Sequence, residues 1–255
     1  MNNRYTGKPK RFHELPQKTQ SICNSLAEML GASLPDIVYG IYLYGAMVFP
    51  ESDHVVDIDF HVILKRPLSA DEKEKVRLIH EALTNSFPPL SSDDLDGWYI
   101  LLDDVRLLAP EHQVIPNISD TAWPLHRAHM RAGYCIVLKG PSPRQIFPAP
   151  TWSELTISLN AEHAFITEHA TKYPAYCILN ACRLMYSYTT RDVVISKKAS
   201  AEWAMDNFPV WKNLINAALR WYGEDKRAVD WQLFESTTDS FLKFANTTIE
   251  NSKHE

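Results

Sequence analysis

No stretch of this chain approaches the roughly 18 apolar residues of a transmembrane helix. The opening Met1-Asn-Asn-Arg-Tyr-Thr-Gly-Lys-Pro-Lys10 is polar and has no apolar signal-peptide core, so no signal peptide is expected and a cytoplasmic location is the default. Charge of one sign is also scarce. A formal net charge of −5 argues against a broad nucleic-acid or membrane footprint and leaves room for a locally basic pocket. The four cysteines, Cys23, Cys135, Cys177 and Cys182, show no C-x-x-C pairing, and are read as small core residues in a reducing compartment. Internal repeats and low-complexity tracts are missing too. What is present is an ordinary 45 % hydrophobic content over 255 residues, enough for one large domain or two modest ones.

Apolar spacing divides the chain by character. Residues 1–16 read as a loose lead-in. Ile22, Leu26, Met29 and Leu30 predict a helix over 18–30 that Gly31 stops. Val38–Leu43 and Ile58–Leu64 read as strands, and Ser69-Ala-Asp-Glu72 is a capping box that opens a helix through Leu83. Trp98–Leu102 predicts a third strand, 120–134 a helix with a break or start near Pro124, and Cys135–Leu138 a fourth strand. The segment Pro141–Pro150 holds four prolines and reads as a linker. Beyond it the pattern is helical: a capping box at Thr151-Trp-Ser-Glu154, a first-turn proline at Pro174, a cap at Ser196, a stripe from Trp211 to Tyr222, and a last helix over Val229–Ile249. The expected architecture is an α/β domain with a mixed sheet over 1–148, followed by an all-α bundle over 149–255.

The chemistry concentrates at two places. Ile41-Tyr-Leu-Tyr-Gly45-Ala46 is a strand running into a glycine turn, and ten residues on comes Asp57-Ile-Asp59. Strand side chains alternate, so Asp57 and Asp59 share a face, with Phe60, Val62 and Leu64 turned to the core. Two anions side by side repel unless a cation lies between them, which is how a Mg²⁺ site for a nucleoside triphosphate is commonly built. Gly45 lets backbone approach a ligand, and a following helix N-terminus favours phosphate; alone it is equally a plain strand-to-helix turn. A third carboxylate is wanted to take a proton from an acceptor hydroxyl. Asp93, Asp94, Asp96, Asp103 and Asp104 are candidates, and Asp96 is preferred because it stands at the strand entry. His61 shares the face of the two aspartates. His126 and His129 lie three apart, but no third zinc ligand suggests itself. In the second half Arg183, Lys197 and Tyr222 fall on three successive predicted helices. An arginine in an otherwise apolar helix needs a partner, which a phosphate or an internal acid supplies equally well; Lys197 reads equally as surface and Tyr222 as core.

The spacing G-[SA]-x10-D-x-D is that of the nucleotidyltransferase superfamily, and the chain resembles its aminoglycoside adenylyltransferases of the spectinomycin/streptomycin type over about residues 20 to 245. The matching stretches are Leu43-Tyr-Gly45-Ala46 with Asp57-Ile-Asp59, Leu95-Asp96 with Asp104-Val105, Leu138-Lys-Gly140-Pro141, Cys182-Arg183-Leu184-Met185-Tyr186-Ser187, Ser196-Lys197, and Ala201-Glu202-Trp203-Ala204. The resemblance implies that Asp57 and Asp59 hold Mg²⁺ and Asp96 is the base. It implies that Gly45 and Ala46 meet the phosphates and that Arg183, Lys197 and Tyr222 contact ATP across a domain cleft. The family reaction moves AMP from ATP to a drug hydroxyl and releases pyrophosphate. A small-molecule hydroxyl acceptor is expected as partner, with no nucleic acid or membrane, and a monomeric chain.

Three departures matter. Ala46 replaces the usual serine, a loss of about 1–3 kcal/mol of nucleotide binding if one hydrogen bond disappears. Asp96 is one methylene shorter than the usual glutamate. The residues before the arginine, Ala164-Phe-Ile-Thr-Glu168-His169 and Tyr173-Pro-Ala-Tyr176, keep only Glu168 of the acids that suit a cationic aminocyclitol. Two rivals therefore stand beside AMP transfer to an aminoglycoside-like acceptor: the same transfer to a non-drug acceptor, and a nucleotide-binding module that has lost most of its catalysis.

Overall fold

The structure is a computed structural model that describes residue 5 and residues 7–51, 57–223 and 225–253. The chain divides into two compact units, one spanning Lys8–Pro150 and the other built on Thr151–Glu255.

In the first unit, helix α1 (Gln17–Ser33) leads into strand β1 (Val38–Tyr44), and strand β2 (Asp59–Leu64) into helix α2 (Ala70–Ser86). Strand β3 (Gly97–Leu101), helix α3 (Trp123–Ala132) and strand β4 (Ile136–Lys139) come next, with a short helix α4 (Pro143–Ile146) inside the proline-rich segment. Among the described residues the strands make a four-stranded mixed sheet in the order β3-β2-β1-β4. β1 is antiparallel to β2 and β4, while β2 and β3 run parallel.

Both faces of the sheet are covered. Phe60 and Tyr99 point to α2, where the His80 ring lies 5.9 Å from each. The opposite face, carrying Tyr42, Tyr44 and Ile63, packs beneath Trp123 and Met130 of α3 in one buried cluster. The acidic face of β2 is therefore roofed and not a solvated edge. Gly97 is required by packing, because a Cβ there would overlap the Phe60 ring.

Several local expectations meet the structure directly. Ser69 and Glu72 form the reciprocal capping box at α2, with N–H to Oε2 at 2.8 Å and N–H to Oγ at 3.3 Å. Pro124 sits in the first turn of α3, where its missing N–H costs nothing. Gly31 does not stop α1; the helix runs on to Ser33, since nothing lies near enough to penalise or require a side chain there. The lead-in is tied down at Lys10, whose N–H bonds the Val48 carbonyl at 2.9 Å, and at the buried Leu15; residues 1–4 and 6 of it lie outside the described residues.

The second unit is helical throughout: α5 (Trp152–His169), α6 (Pro174–Thr190), α7 (Lys197–Asn207), α8 (Lys212–Tyr222) and α9 (Ala228–Lys253). Helix α6 is apolar on nearly every side and packs against the other four, as the central member of a bundle does. Among the described residues no helix is long and apolar enough to cross a membrane.

The Thr151 cap fixes where the bundle begins. Its N–H bonds Glu154 Oε2 at 2.7 Å and its Oγ1 accepts from the Glu154 N–H at 3.3 Å. Thr151→Ala is expected to lower stability by about 1 kcal/mol, read as a lower midpoint in urea unfolding of the full chain, because Thr151 is exposed and loses little but the cap.

Candidate functional site

β1 ends at Tyr44 and the chain turns at Gly45, whose φ of 75° lies in the left-handed region. Tyr44 is the ladder partner of Asp59, and a Cβ on Gly45 would overlap the Asp59 carboxylate. The glycine thus makes the space in which that carboxylate stands. The turn does not open the helix expected after it. Ala46–Val48 form one 3₁₀ turn, because buried Met47, Val48 and Phe49 anchor it and Pro50 forces Phe49 into extended backbone. A single turn has no useful dipole, so no helix N-terminus aims at a phosphate here. Ala46 is exposed beside the turn.

Asp59 opens β2 and Asp57 lies just before it, exposed. Between them Ile58 is buried, and its N–H bonds the Asp94 carbonyl at 2.7 Å; the Phe60 N–H bonds the Asp96 carbonyl at 3.0 Å. These bonds extend the pleat, so Asp57 and Asp59 keep to one side. Phe60 pairs with Gly97, which sets Asp96 next to Asp59 at the entry of the parallel pair. Crowding by the surrounding protein raises the Asp96 carboxyl, and the Asp120 charge raises it further, against the lowering effect of His126, His112 and Trp98. The other candidates for the third acid are placed differently. Asp94 is spent on the Ser91 N–H and hydroxyl at 2.7 and 2.8 Å, Asp93 is an exposed neighbour in the same turn, and Asp103 and Asp104 lie at the far end of β3.

Behind the acids is a cluster that sequence reasoning found only in part. Asp120 is 2 % exposed and accepts on one oxygen, Oδ2, from His61 Nε2–H at 3.1 Å and from His126 Nδ1–H at 2.9 Å. Its other oxygen accepts the Ala122 N–H at 3.0 Å. Burial works against ionising Asp120, but His126 and then His61 overcome it, and the carboxyl lies well below the usual carboxylate range. Burial lowers His61 to about 4, so that ring is neutral, and its Nδ1 has no partner among the described residues. Burial also acts to lower His126, yet Asp120, with Asp59 and Asp96 beyond it, raises it on balance. Tyr44 lies 4.6 Å from both imidazoles, its ring tilted to each. His129 is elsewhere, edge-on to Phe49 at 5.6 Å, so the His126/His129 pairing considered for zinc does not form. The ligating atoms of His61, Asp120 and His126 lie within 4.8 Å of one another, and here they are joined by hydrogen bonds. Asp120 had one signal in the sequence: a short acid just ahead of a helix that opens with proline.

In the second unit the three expected residues come together around Tyr176. Lys197 Nζ donates to the Tyr222 hydroxyl at 2.8 Å and sits 4.6 Å from the ring centroids of both Tyr222 and Tyr176. Arg183 is half-buried rather than buried, and its guanidinium donates to Asn180 Oδ1 at 3.2 Å. No carboxylate pairs with Arg183 among the described residues, which removes the internal salt bridge as its explanation. Tyr222 is 49 % exposed and so is not a core residue.

Comparisons with known proteins respect the same division. Residues 146–248 match the family described as "Aminoglycoside adenylyltransferase, C-terminal domain". No curated protein is similar enough in sequence to match. Among solved structures, the fold is similar to that of spectinomycin adenyltransferase AAD(9) from Enterococcus faecialis, solved with ATP and spectinomycin. The TM-score is 0.72 at 16 % identity, over 90 % of this chain and 98 % of that one. The resemblance read from the sequence and the mixed-sheet-plus-bundle architecture stand on these two findings.

The upward shift of His126 is testable by itself. Its imidazole is expected to titrate above the ordinary histidine value of about 6.5 in the wild type and below it in Asp120→Asn, measured by NMR. Because the folded value is raised, the ion pair's contribution to stability is complete below pH about 6.5 and is lost as pH climbs through the folded value.

Proposed function

We propose that this chain, whose helical unit matches the C-terminal domain of aminoglycoside adenylyltransferases, is a nucleotidyltransferase that moves AMP from ATP to a hydroxyl of a small-molecule acceptor. The observation that carries the reading is Gly45 at positive φ, holding open the space filled by the Asp59 carboxylate, with Asp57 two residues before it and Asp96 alongside.

The residues fit a hard divalent cation. Asp57 and Asp59 offer adjacent carboxylate oxygens, the donors Mg²⁺ prefers, and would hold it with waters and phosphate oxygens completing its shell. When bound, the dication supplies neutralisation of the phosphate oxygens and orients the α-phosphorus. The remaining work belongs to the protein. Asp96, its carboxyl raised by burial, accepts the proton of the acceptor hydroxyl. The hydroxyl oxygen forms a bond to the α-phosphorus, the α–β phosphoanhydride bond breaks, and pyrophosphate leaves with its electron pair. The Gly45–Ala46 turn leaves backbone open to the phosphates; Ala46 brings no hydroxyl there, so nucleotide binding is weaker than a serine would give by about 1–3 kcal/mol. Within the helical unit, Arg183, Lys197 and Tyr222 form the group proposed to contact the nucleotide, the guanidinium being uncommitted to any carboxylate among the described residues.

A second reading keeps the reaction and changes the acceptor. Family members that modify cationic drugs carry acids before the arginine, whereas residues 164–176 here hold Glu168 alone, and it is exposed.

AMP incorporation from α-labelled ATP, measured over an acceptor panel that includes spectinomycin, tests both. With any acceptor that is labelled, Asp57→Asn and Asp96→Asn are each expected to cut the rate by about 100-fold or more. Unchanged labelling in Asp57→Asn overturns the metal assignment.

A further inference from the structure

Among the described residues β3 is an edge strand, paired with β2 on one side only. Backbone groups of successive strand residues face alternate sides. The Asp96 carbonyl faces β2 and accepts the Phe60 N–H at 3.0 Å, so the carbonyls of Gly97 and Tyr99 face the open edge. Residues 110–120 cover that edge. They fold back on themselves, with the Asp120 N–H on the Pro110 carbonyl at 3.0 Å and the His112 N–H on the Ile118 carbonyl at 2.8 Å. The Gln113 N–H meets the Tyr99 carbonyl at 2.7 Å. The Gly97 carbonyl is met by a side chain instead: His112 Nε2–H donates to it at 2.9 Å.

Both nitrogens of that imidazole are committed. Its Nδ1 accepts the N–H groups of Val114 at 3.0 Å and Ile115 at 2.9 Å. A ring nitrogen that accepts carries no proton, so the ring is neutral and its N–H lies on Nε2. Burial favours the same form: His112 is 5 % exposed, and burial lowers its imidazole against the opposing pull of the Gly97 carbonyl and Asp96. The imidazole also lies 5.2 Å from the Trp98 ring, and the Trp98 side chain hydrogen-bonds the Asp96 carboxyl. One ring therefore bears on Asp96 by two routes, through the carbonyl of the next residue and through the indole that reaches its carboxyl.

We propose that His112 is a positioning residue for Asp96: through the Gly97 carbonyl and the Trp98 ring it sets where the Asp96 carboxylate stands, without touching substrate itself. The proposal rests on the reading of Asp96 as the base and adds to it the residue that holds the base in place.

Two conservative variants divide the work of the ring. In His112→Asn the amide oxygen replaces Nδ1 and keeps the turn, while the bond to Gly97 is lost. In His112→Gln the amide N–H replaces Nε2–H and keeps the bond to Gly97, while the turn is lost. Amide hydrogen exchange on the full chain needs no catalysis. The Phe60 N–H, which bonds the Asp96 carbonyl, is expected to exchange about tenfold faster in His112→Asn and at the wild-type rate in His112→Gln. The Val114 and Ile115 N–H groups are expected to do the reverse. In AMP transfer to any acceptor that is labelled, kcat is expected to fall about tenfold in His112→Asn with KM for ATP unchanged, and to return toward the wild type in His112→Gln. A Phe60 amide unmoved in His112→Asn, an undiminished kcat in that variant, or an equal loss in both variants overturns the proposal. If no acceptor is labelled in the wild type, the transfer reading fails, and the exchange pattern still decides whether His112 holds Asp96.

Discussion

Like charges held close together on one face of β2 are the constraint from which the first unit is built. Asp59, Asp96 and Asp120 all bear on the buried Tyr44, pushing its hydroxyl well above its ordinary value together with burial, the largest cause. Two carboxylates about 4 Å apart at the surface of a protein repel by roughly 4 kcal/mol. Such a cluster persists only with compensation. Part of it is built in: His126 donates to Asp120, and Asp120, Asp59 and Asp96 together act to raise its imidazole. Asp57 and Asp59 stand at the entry of β2 beside the Gly45 turn, which is where the proposed divalent cation would sit.

That view gives the inner and outer acids different jobs. Asp120 is ionised, nearly sealed from water and committed to three hydrogen bonds, so it orients and charges its neighbours and is out of reach of a substrate. Asp57, Asp59 and Asp96 sit at strand ends with access to the outside. The helical unit contributes cations at one place: Arg183, with no acid partner among the described residues, and Lys197, over two tyrosine rings.

Much of this was legible in the sequence, for local reasons. Capping boxes at Ser69 and Thr151, the proline starts at Pro124 and Pro174, and the alternation through β2 depend on residues within a few positions of each other, so pattern reading locates them. The Asp57-Ile-Asp59 pattern announces a shared face for the same reason. The failures are tertiary. Gly31 reads as a stop but costs α1 only some propensity, which neighbouring burial at Leu26 and Leu30 outweighs. The turn after Gly45 reads as the start of a helix, and buried Met47 and Val48 with Pro50 hold it to one 3₁₀ turn. The His61–Asp120–His126 cluster joins residues 59 and 6 positions apart, a pairing that strand order creates and no local spacing announces.

The central claim is that the Gly45 turn and the Asp59 carboxylate form one metal-dependent nucleotide site. Calorimetric titration of Gly45→Ala with ATP, in the presence and absence of Mg²⁺, tests it most directly. The added methyl overlaps the carboxylate and meets a backbone conformation that alanine resists, so the account predicts that Mg²⁺ enhances ATP binding in the wild type and no longer does so in the variant. A folded Gly45→Ala protein that binds ATP with undiminished Mg²⁺ dependence would contradict it.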